Sequence, residues 1–169
     1  VKRTRRPVML EPMPPNESRL AVLLSGRGSN FEAIADAVAS GRIPNAEIVA
    51  VVSDSPVAPG LARARRRGLP GHAMDRRLYG AREAHEQAIL RVLEIAQPDL
   101  VCLAGYMRLL SPEFVARWRG RLLNIHPSLL PKFPGLSPQR QALEAGESVS
   151  GCTVHFVDEG VDTGKIILQ

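Results

Sequence analysis

The chain has 169 residues, 44% of them hydrophobic, and only two cysteines, so it can bury a sizeable core as one domain without disulfide or metal staples. No apolar run approaches the roughly 18 to 20 residues of a membrane span, and the basic N-terminus is not followed by a signal-peptide core, so a soluble, cytoplasmic protein with no membrane partner is expected. The formal net charge of +5 does not point to nucleic acid, because aromatic residues make up 4% of the chain and offer few stacking platforms.

Residues 1 to 18 hold Lys2, Arg3, Arg5 and Arg6 among Pro7, Pro12, Pro14 and Pro15. They show no periodicity and predict a disordered basic tail. Residues 19 to 169 then predict a single domain. Arg19-Leu20-Ala21-Val22-Leu23-Leu24-Ser25 is a short apolar run that ends in a glycine-rich turn, with helical spacing from residue 30 to about 39. A second run, Ala46-Glu47-Ile48-Val49-Ala50-Val51-Val52, leads through Ser53-Asp54-Ser55-Pro56 into an Ala/Arg-rich helix that Gly68 closes. The cluster Arg63-Ala64-Arg65-Arg66-Arg67 falls at the end of that helix, where cations complement the dipole.

A short strand is predicted near residues 70 to 74, a long helix from about 79 to 96, and a buried strand over Asp99-Leu100-Val101-Cys102-Leu103-Ala104-Gly105. Continuous apolar strands alternating with helices predict a doubly wound α/β fold, a mostly parallel sheet covered on both faces. Cys102 and Cys152 lack CxxC or Cys/His ligand spacing, so buried reduced thiols and no metal site are expected.

In such a fold ligands bind beyond the carboxyl ends of the strands. Gly26-Arg27-Gly28-Ser29-Asn30 joins the first strand to the first helix, where backbone N–H groups and the positive helix end make a phosphate cradle. The plainer reading is a tight turn in which Ser29 or Asn30 caps the helix. A nucleotide-binding oxidoreductase would use the same loop with Asp54 as ribose ligand. However, Phe31 stands where a dinucleotide fingerprint needs a small residue, and no GK[ST] makes a P-loop.

Leu122-Leu123-Asn124-Ile125-His126 predicts a strand with Asn124 and His126 on one face, ended by Pro127 and Pro131. A carboxamide donor beside an imidazole suits acyl transfer at a developing oxyanion; a lone histidine would more simply be a satisfied core residue. Downstream, Val154-His155-Phe156-Val157 alternates as a strand. The acidic loop Asp158-Glu159-Gly160-Val161-Asp162-Thr163-Gly164 follows, able to turn sharply at its glycines. A carboxylate from this loop facing His126 across the sheet ends would favour the imidazolium; spacing alone does not choose among the three acids.

Four motifs together resemble a known family, phosphoribosylglycinamide formyltransferase, a folate-dependent formyltransferase of purine synthesis. They are Leu24-Ser25-Gly26-Arg27-Gly28-Ser29-Asn30, Leu103-Ala104-Gly105-Tyr106-Met107-Arg108-Leu109-Leu110-Ser111-Pro112, Leu123-Asn124-Ile125-His126-Pro127-Ser128-Leu129-Leu130-Pro131, and Gly151-Cys152-Thr153-Val154-His155-Phe156-Val157 through Asp162-Thr163-Gly164. The resemblance implies 10-formyltetrahydrofolate as co-substrate, glycinamide ribonucleotide as acceptor, no metal, and a monomer or homodimer. It implies that Gly28, Ser29 and Asn30 hold the ribotide phosphate and that Arg82 contacts the folate. It implies too that Met107, Arg108, Leu109 and Leu110, with Asp158, Glu159, Gly160 and Val161, embrace the pterin. By the same resemblance His126 is the proton donor, Asp162 the carboxylate that keeps it charged, and Asn124 an oxyanion donor that also lies against the folate.

Formyltetrahydrofolate deformylase and methionyl-tRNA formyltransferase resemble the same Asn-x-His-Pro-Ser core. Ser137 stands where the family usually carries histidine, and Lys165 where proline commonly follows Asp-x-Gly. The resemblance also implies a further strand and long helix beyond Gln169, so residues 19 to 169 are expected to form a domain lacking those elements.

Overall fold

The computed structural model describes residues 18–169; the predicted basic tail lies, except for Ser18, outside the described residues. Seven strands form one sheet: β1 (Ser18–Leu24), β2 (Ala46–Ser53), β3 (Gly71–Ala73), β4 (Leu100–Leu103), β5 (Leu122–His126), β6 (Thr153–Phe156) and β7 (Ile166–Leu168). Their order is β3-β2-β1-β4-β5-β6-β7. Strands β1 to β5 pair in parallel, whereas β6 and β7 join antiparallel. This is the mostly parallel α/β sheet that the sequence predicts.

The apolar runs are continuous because both faces of the inner strands are covered. Ala21, Leu23, Ala50, Val52, Val101, Leu103 and Leu122 point to one side. There they meet α3 (Arg82–Ala96) through Ile89, Leu90 and Leu93, and α4 (Pro112–Arg117) through Phe114 and Val115. Leu20, Val22, Leu24, Ile48 and Val51 point to the other side. That side is covered by α1 (Ser29–Ala39) through Phe31 and Ala35, and by α2 (Pro59–Arg66) through Leu61 and Ala64. A short helix α5 (Pro138–Glu144) lies between β5 and β6.

The basic cluster does end α2. It also clamps α2 to α1, since Arg63 pairs with Glu32 and Arg67 Nη2 lies 2.8 Å from Asp36 Oδ1. The long helix starts later than its periodicity predicts. Asp75 accepts a hydrogen bond from Arg77 N and caps a 3-10 turn over Arg76–Leu78, and α3 opens only at Arg82.

One thiol departs from expectation. Cys102 on β4 is largely covered, and burial pushes its thiol up to about 11. Cys152 is exposed because it precedes β6 in an open segment rather than facing the core. Both are free. Among the described residues no helix is long and apolar enough to cross a membrane.

Candidate active site

Strand alternation sets Leu122, Asn124 and His126 on the face that carries α3 and α4, with Leu122 wholly buried beneath the two polar side chains. Both polar side chains converge on Asp162. His126 Nδ1 lies 3.2 Å from Asp162 Oδ2, and Asn124 Nδ2 donates to Asp162 Oδ1 at 3.4 Å. Of the three acids in the loop, this one is selected.

Asp162 also accepts from Gly135 N at 2.8 Å. It does so from a left-handed backbone, φ 55, a conformation that aspartate tolerates better than most residues because its short polar side chain bonds locally.

The route of Asp162 to the site differs from the expected approach across strand ends. Strand β6 runs against β5, pairing Phe156 with Leu123 and Thr153 with His126. Its carboxyl end therefore lies at the amino end of β5. The loop after β6 must climb back over the sheet face to bring Asp162 level with His126. It is held by Asp158 Oδ1, which accepts from Gly160 N at 3.1 Å and Thr163 Oγ1 at 2.7 Å. At Gly164 close approach, rather than turn conformation, demands glycine: a Cβ there would sit 1.7 Å from the Phe156 carbonyl oxygen.

His126 Nε2 faces the Phe133 carbonyl at 2.8 Å, so both of its nitrogens meet oxygen acceptors and the doubly protonated ring satisfies both. His155 differs. Its Nδ1 faces the Phe156 carbonyl at 2.8 Å while Nε2 faces Asn124 Nδ2 at 3.2 Å. A ring protonated on Nδ1 alone would satisfy those two contacts. His155 Nε2 is also 3.5 Å from Asp162 Oδ1.

The glycine loop brings a second feature to the carboxyl edge. Gly28 is left-handed at φ 78, and a Cβ on it would meet Gly60 Cα at 2.6 Å. Ser29 is the first residue of α1, and no side chain caps the helix. The capping reading of Ser29 or Asn30 is thus not what the fold uses, and the N–H groups of the first turn remain open at the positive helix end. Ser29 and Asn30 are exposed there, while Phe31 is fully buried.

The segments assigned to a folate by resemblance sit around this face. Met107 and Leu109 are exposed, and Leu110 is half-buried. Met107 N donates to Ser25 Oγ at 2.9 Å, and Arg108 Nε to Asp54 Oδ2 at 3.2 Å. Leu110 and Val157, the residue before Asp158, both pack against the core cluster beneath α3 and α4. Glu159 pairs with Arg119 at 3.3 Å, and Gly160 and Val161 are exposed. Arg82 is exposed at the start of α3, beside Glu83 and 4.0 Å from buried Glu86. Glu86 in turn accepts from Ser111 N at 2.9 Å and from Ser111 Oγ, tying the end of the 107–111 loop to α3.

Ser137 is left-handed, φ 54, before α5 and makes no capping bond. The Lys165 carbonyl accepts from Phe156 N at 2.9 Å, which leaves its side chain exposed. Sequence reasoning did not single out His155, Phe133, Gly135 or Glu86. Only His155 carried a signal, as a histidine on an alternating strand.

The family model described as formyl transferase matches residues 18–169. The chain is 47% identical over 150 residues to phosphoribosylglycinamide formyltransferase of Escherichia coli, covering 89% of this chain and 70% of that protein. It is 55% identical over 152 residues to the trifunctional purine biosynthetic protein adenosine-3 of Drosophila melanogaster, where it spans 89% of this chain but only 11% of the larger protein's length. Among solved structures, glycinamide ribonucleotide transformylase 1 from Symbiobacterium toebii superposes with a TM-score of 0.89 at 49% identity, covering 94% of this chain and 76% of that one.

Proposed function

The chain belongs to the formyl transferase family, and from that premise we propose that it transfers a formyl group from 10-formyltetrahydrofolate to the amine of 5'-phosphoribosylglycinamide in purine biosynthesis. The observation that carries this reading is the convergence of Asn124 and His126 on Asp162, on the same sheet as the uncapped start of α1. One centre offers hydrogen bonds to a developing oxyanion; the other offers open N–H groups to a phosphate.

In this reading Gly28, Ser29 and Asn30 hold the ribotide phosphate. Arg82 and the segments 107–110 and 158–161 hold the folate. The amine attacks the formyl carbon directly, and the carbonyl oxygen takes up negative charge between Asn124 Nδ2 and protonated His126. As the bond from carbon to N10 breaks, the nitrogen nucleophile loses a proton and N10 gains one, delivered by His126 or by a water on Asp162. Asp162 orients the ring through Nδ1, 3.2 Å from Oδ2. The Phe133 carbonyl, 2.8 Å from His126 Nε2, must yield its place before that nitrogen serves the substrate, and Asn124 Nδ2 must likewise release Asp162 Oδ1 or His155 Nε2.

Tetrahydrofolate release, measured with ribotide or with water alone as acceptor, tests the proposal. Ribotide-dependent release is expected, and release in water alone would instead indicate a deformylase. Losing one oxyanion donor typically raises the barrier by about 2.7 to 4 kcal/mol, so His126→Ala and Asn124→Ala should each lower turnover by orders of magnitude with folding intact. Near-parental turnover in either variant would remove that residue from the site.

A further inference from the structure

We propose that the cavity at the carboxyl ends of β1 and β2 is a second ligand site, for a ribose phosphate, with Asp54 as its hydroxyl acceptor and Arg76, Arg77 and Arg108 as its anion rim. The cavity has a volume of about 370 Å³, and Ser25, Ser55 and Asp75 complete its polar lining.

Asp54 immediately follows β2 and is only 6% exposed. Its Oδ2 accepts from Arg108 Nε at 3.2 Å, but its Oδ1 is buried with no hydrogen-bond partner, one of two such side-chain atoms among the described residues. A carboxylate oxygen removed from water and given nothing in return is costly to fold. It is relieved by a ligand that donates an O–H. In an open α/β sheet whose strand order reverses beside β1, a carboxylate after the second strand stands where ribose hydroxyls are held.

The rim supplies the opposite chemistry. Asp75 binds the Nε and Nη2 side of Arg77, which orients that guanidinium and leaves Nη1 open. Arg76 has no ion-pair partner among the described residues, and the Arg108 side chain is 41% exposed. Guanidinium groups arranged in this way suit a phosphate. A ribose phosphate presents hydroxyls and an anion in one small molecule, and the two ends of this cavity ask for those two groups.

The site lies apart from the proposed acyl-transfer centre, although Ser25 in its lining opens the loop that carries Gly28, Ser29 and Asn30. Asp54 follows β2 and Asn124 lies on β5, three strand spacings apart in the sheet order, or roughly 14 Å at about 4.8 Å each. A ribotide with its ribose on Asp54 would hold its amine far from Asn124. Arg108 links the two regions, because it belongs to the segment proposed to hold folate. A phosphate that draws Arg108 away from Asp54 both frees Oδ2 for a second hydroxyl and shifts that segment, so occupancy here should alter donor affinity.

Backbone amide NMR on the whole chain tests the assignment by titration with ribose 5-phosphate and, separately, with inorganic phosphate. Saturable shifts are expected at Ser55, Val57, Arg76 and Arg77 with ribose 5-phosphate, binding at least about tenfold tighter than phosphate alone because only the sugar can reach Asp54. The double variant Arg76→Ala/Arg77→Ala, altered only at exposed residues, should weaken this binding by about tenfold or more. Asp54→Asn should erase the preference for the sugar phosphate. Shifts confined to residues 28–30, equal affinity for both ligands, or no saturable shift at all would overturn the proposal.

Discussion

Asp162→Asn is the sharpest test of the proposed centre, because the two side chains have the same shape and differ in charge. Asparagine adopts the left-handed backbone of position 162 as readily as aspartate does. It keeps a carboxamide oxygen for Gly135 N, now 2.8 Å from Oδ2. The charge 3.2 Å from His126 Nδ1 disappears, and with it the carboxylate that orients the ring.

If His126 then fails as oxyanion donor, the barrier rises by about 2.7 to 4 kcal/mol, or roughly a hundredfold to a thousandfold in kcat. The KM for the ribotide should stay within about threefold, since its phosphate loop is untouched. Asp162→Ala provides the contrast. It should lose comparable activity and also unfold more easily by about 1 to 3 kcal/mol, because Gly135 N–H is left without its acceptor. Steady-state tetrahydrofolate release and urea unfolding measure the two effects. Asp162→Asn turning over within about threefold of the parent would refute the ion pair as the origin of catalysis.

The other predictions concern what holds the site. Gly28→Ala places a methyl against Gly60 Cα in a left-handed residue, so urea unfolding should show a loss of at least about 1 to 3 kcal/mol; a neutral change would mean that the loop relaxes freely. Glu86→Ala strips the buried Ser111 N–H and hydroxyl of their acceptor, which should cost about 1 to 3 kcal/mol, whereas exposed Glu94→Ala should stay within about 0.5 kcal/mol. In a thiol titration at pH 8 to 9, roughly the ordinary range of a free cysteine, exposed Cys152 should react promptly. Cys102, whose thiol burial holds near 11, should react only after denaturation. Its folded pKa lies above the ordinary thiol value of 9.0. Unfolding is therefore favoured by its ionisation only as pH rises from about 9 toward about 11, and no such contribution exists at neutral pH.

How much was legible differs from element to element. Strands β1, β2 and β4 were plain because burial on both faces leaves little room for polar residues, and Gly28 announced a turn that only glycine fits. The start of α3 was not, because Asp75 satisfies Arg77 N locally and diverts the chain into a 3-10 turn that periodicity does not register. The direction of β6 was not legible either, since an alternating strand reads the same whether it pairs parallel or antiparallel. That one ambiguity hid His155: only antiparallel pairing sets it opposite Asn124. Phe133 and Gly135 contribute through backbone atoms, which any residue type would supply.

Those backbone contacts tie recognition to the ion pair. Phe133 O occupies His126 Nε2, and two residues later Gly135 N bonds Asp162, whose other oxygen receives Asn124. An oxyanion reaches Nε2 only by replacing the Phe133 carbonyl, and so short a segment cannot shift at 133 without loading the bond at 135. Asp162, already left-handed and held by that bond, would feel the same displacement. Backbone strain of this kind persists where the surroundings over-determine it. Here the surroundings are Asn124, His126, His155 and the 133–135 segment together, so His126 and Asp162 respond to displacement of the Phe133 carbonyl as one unit.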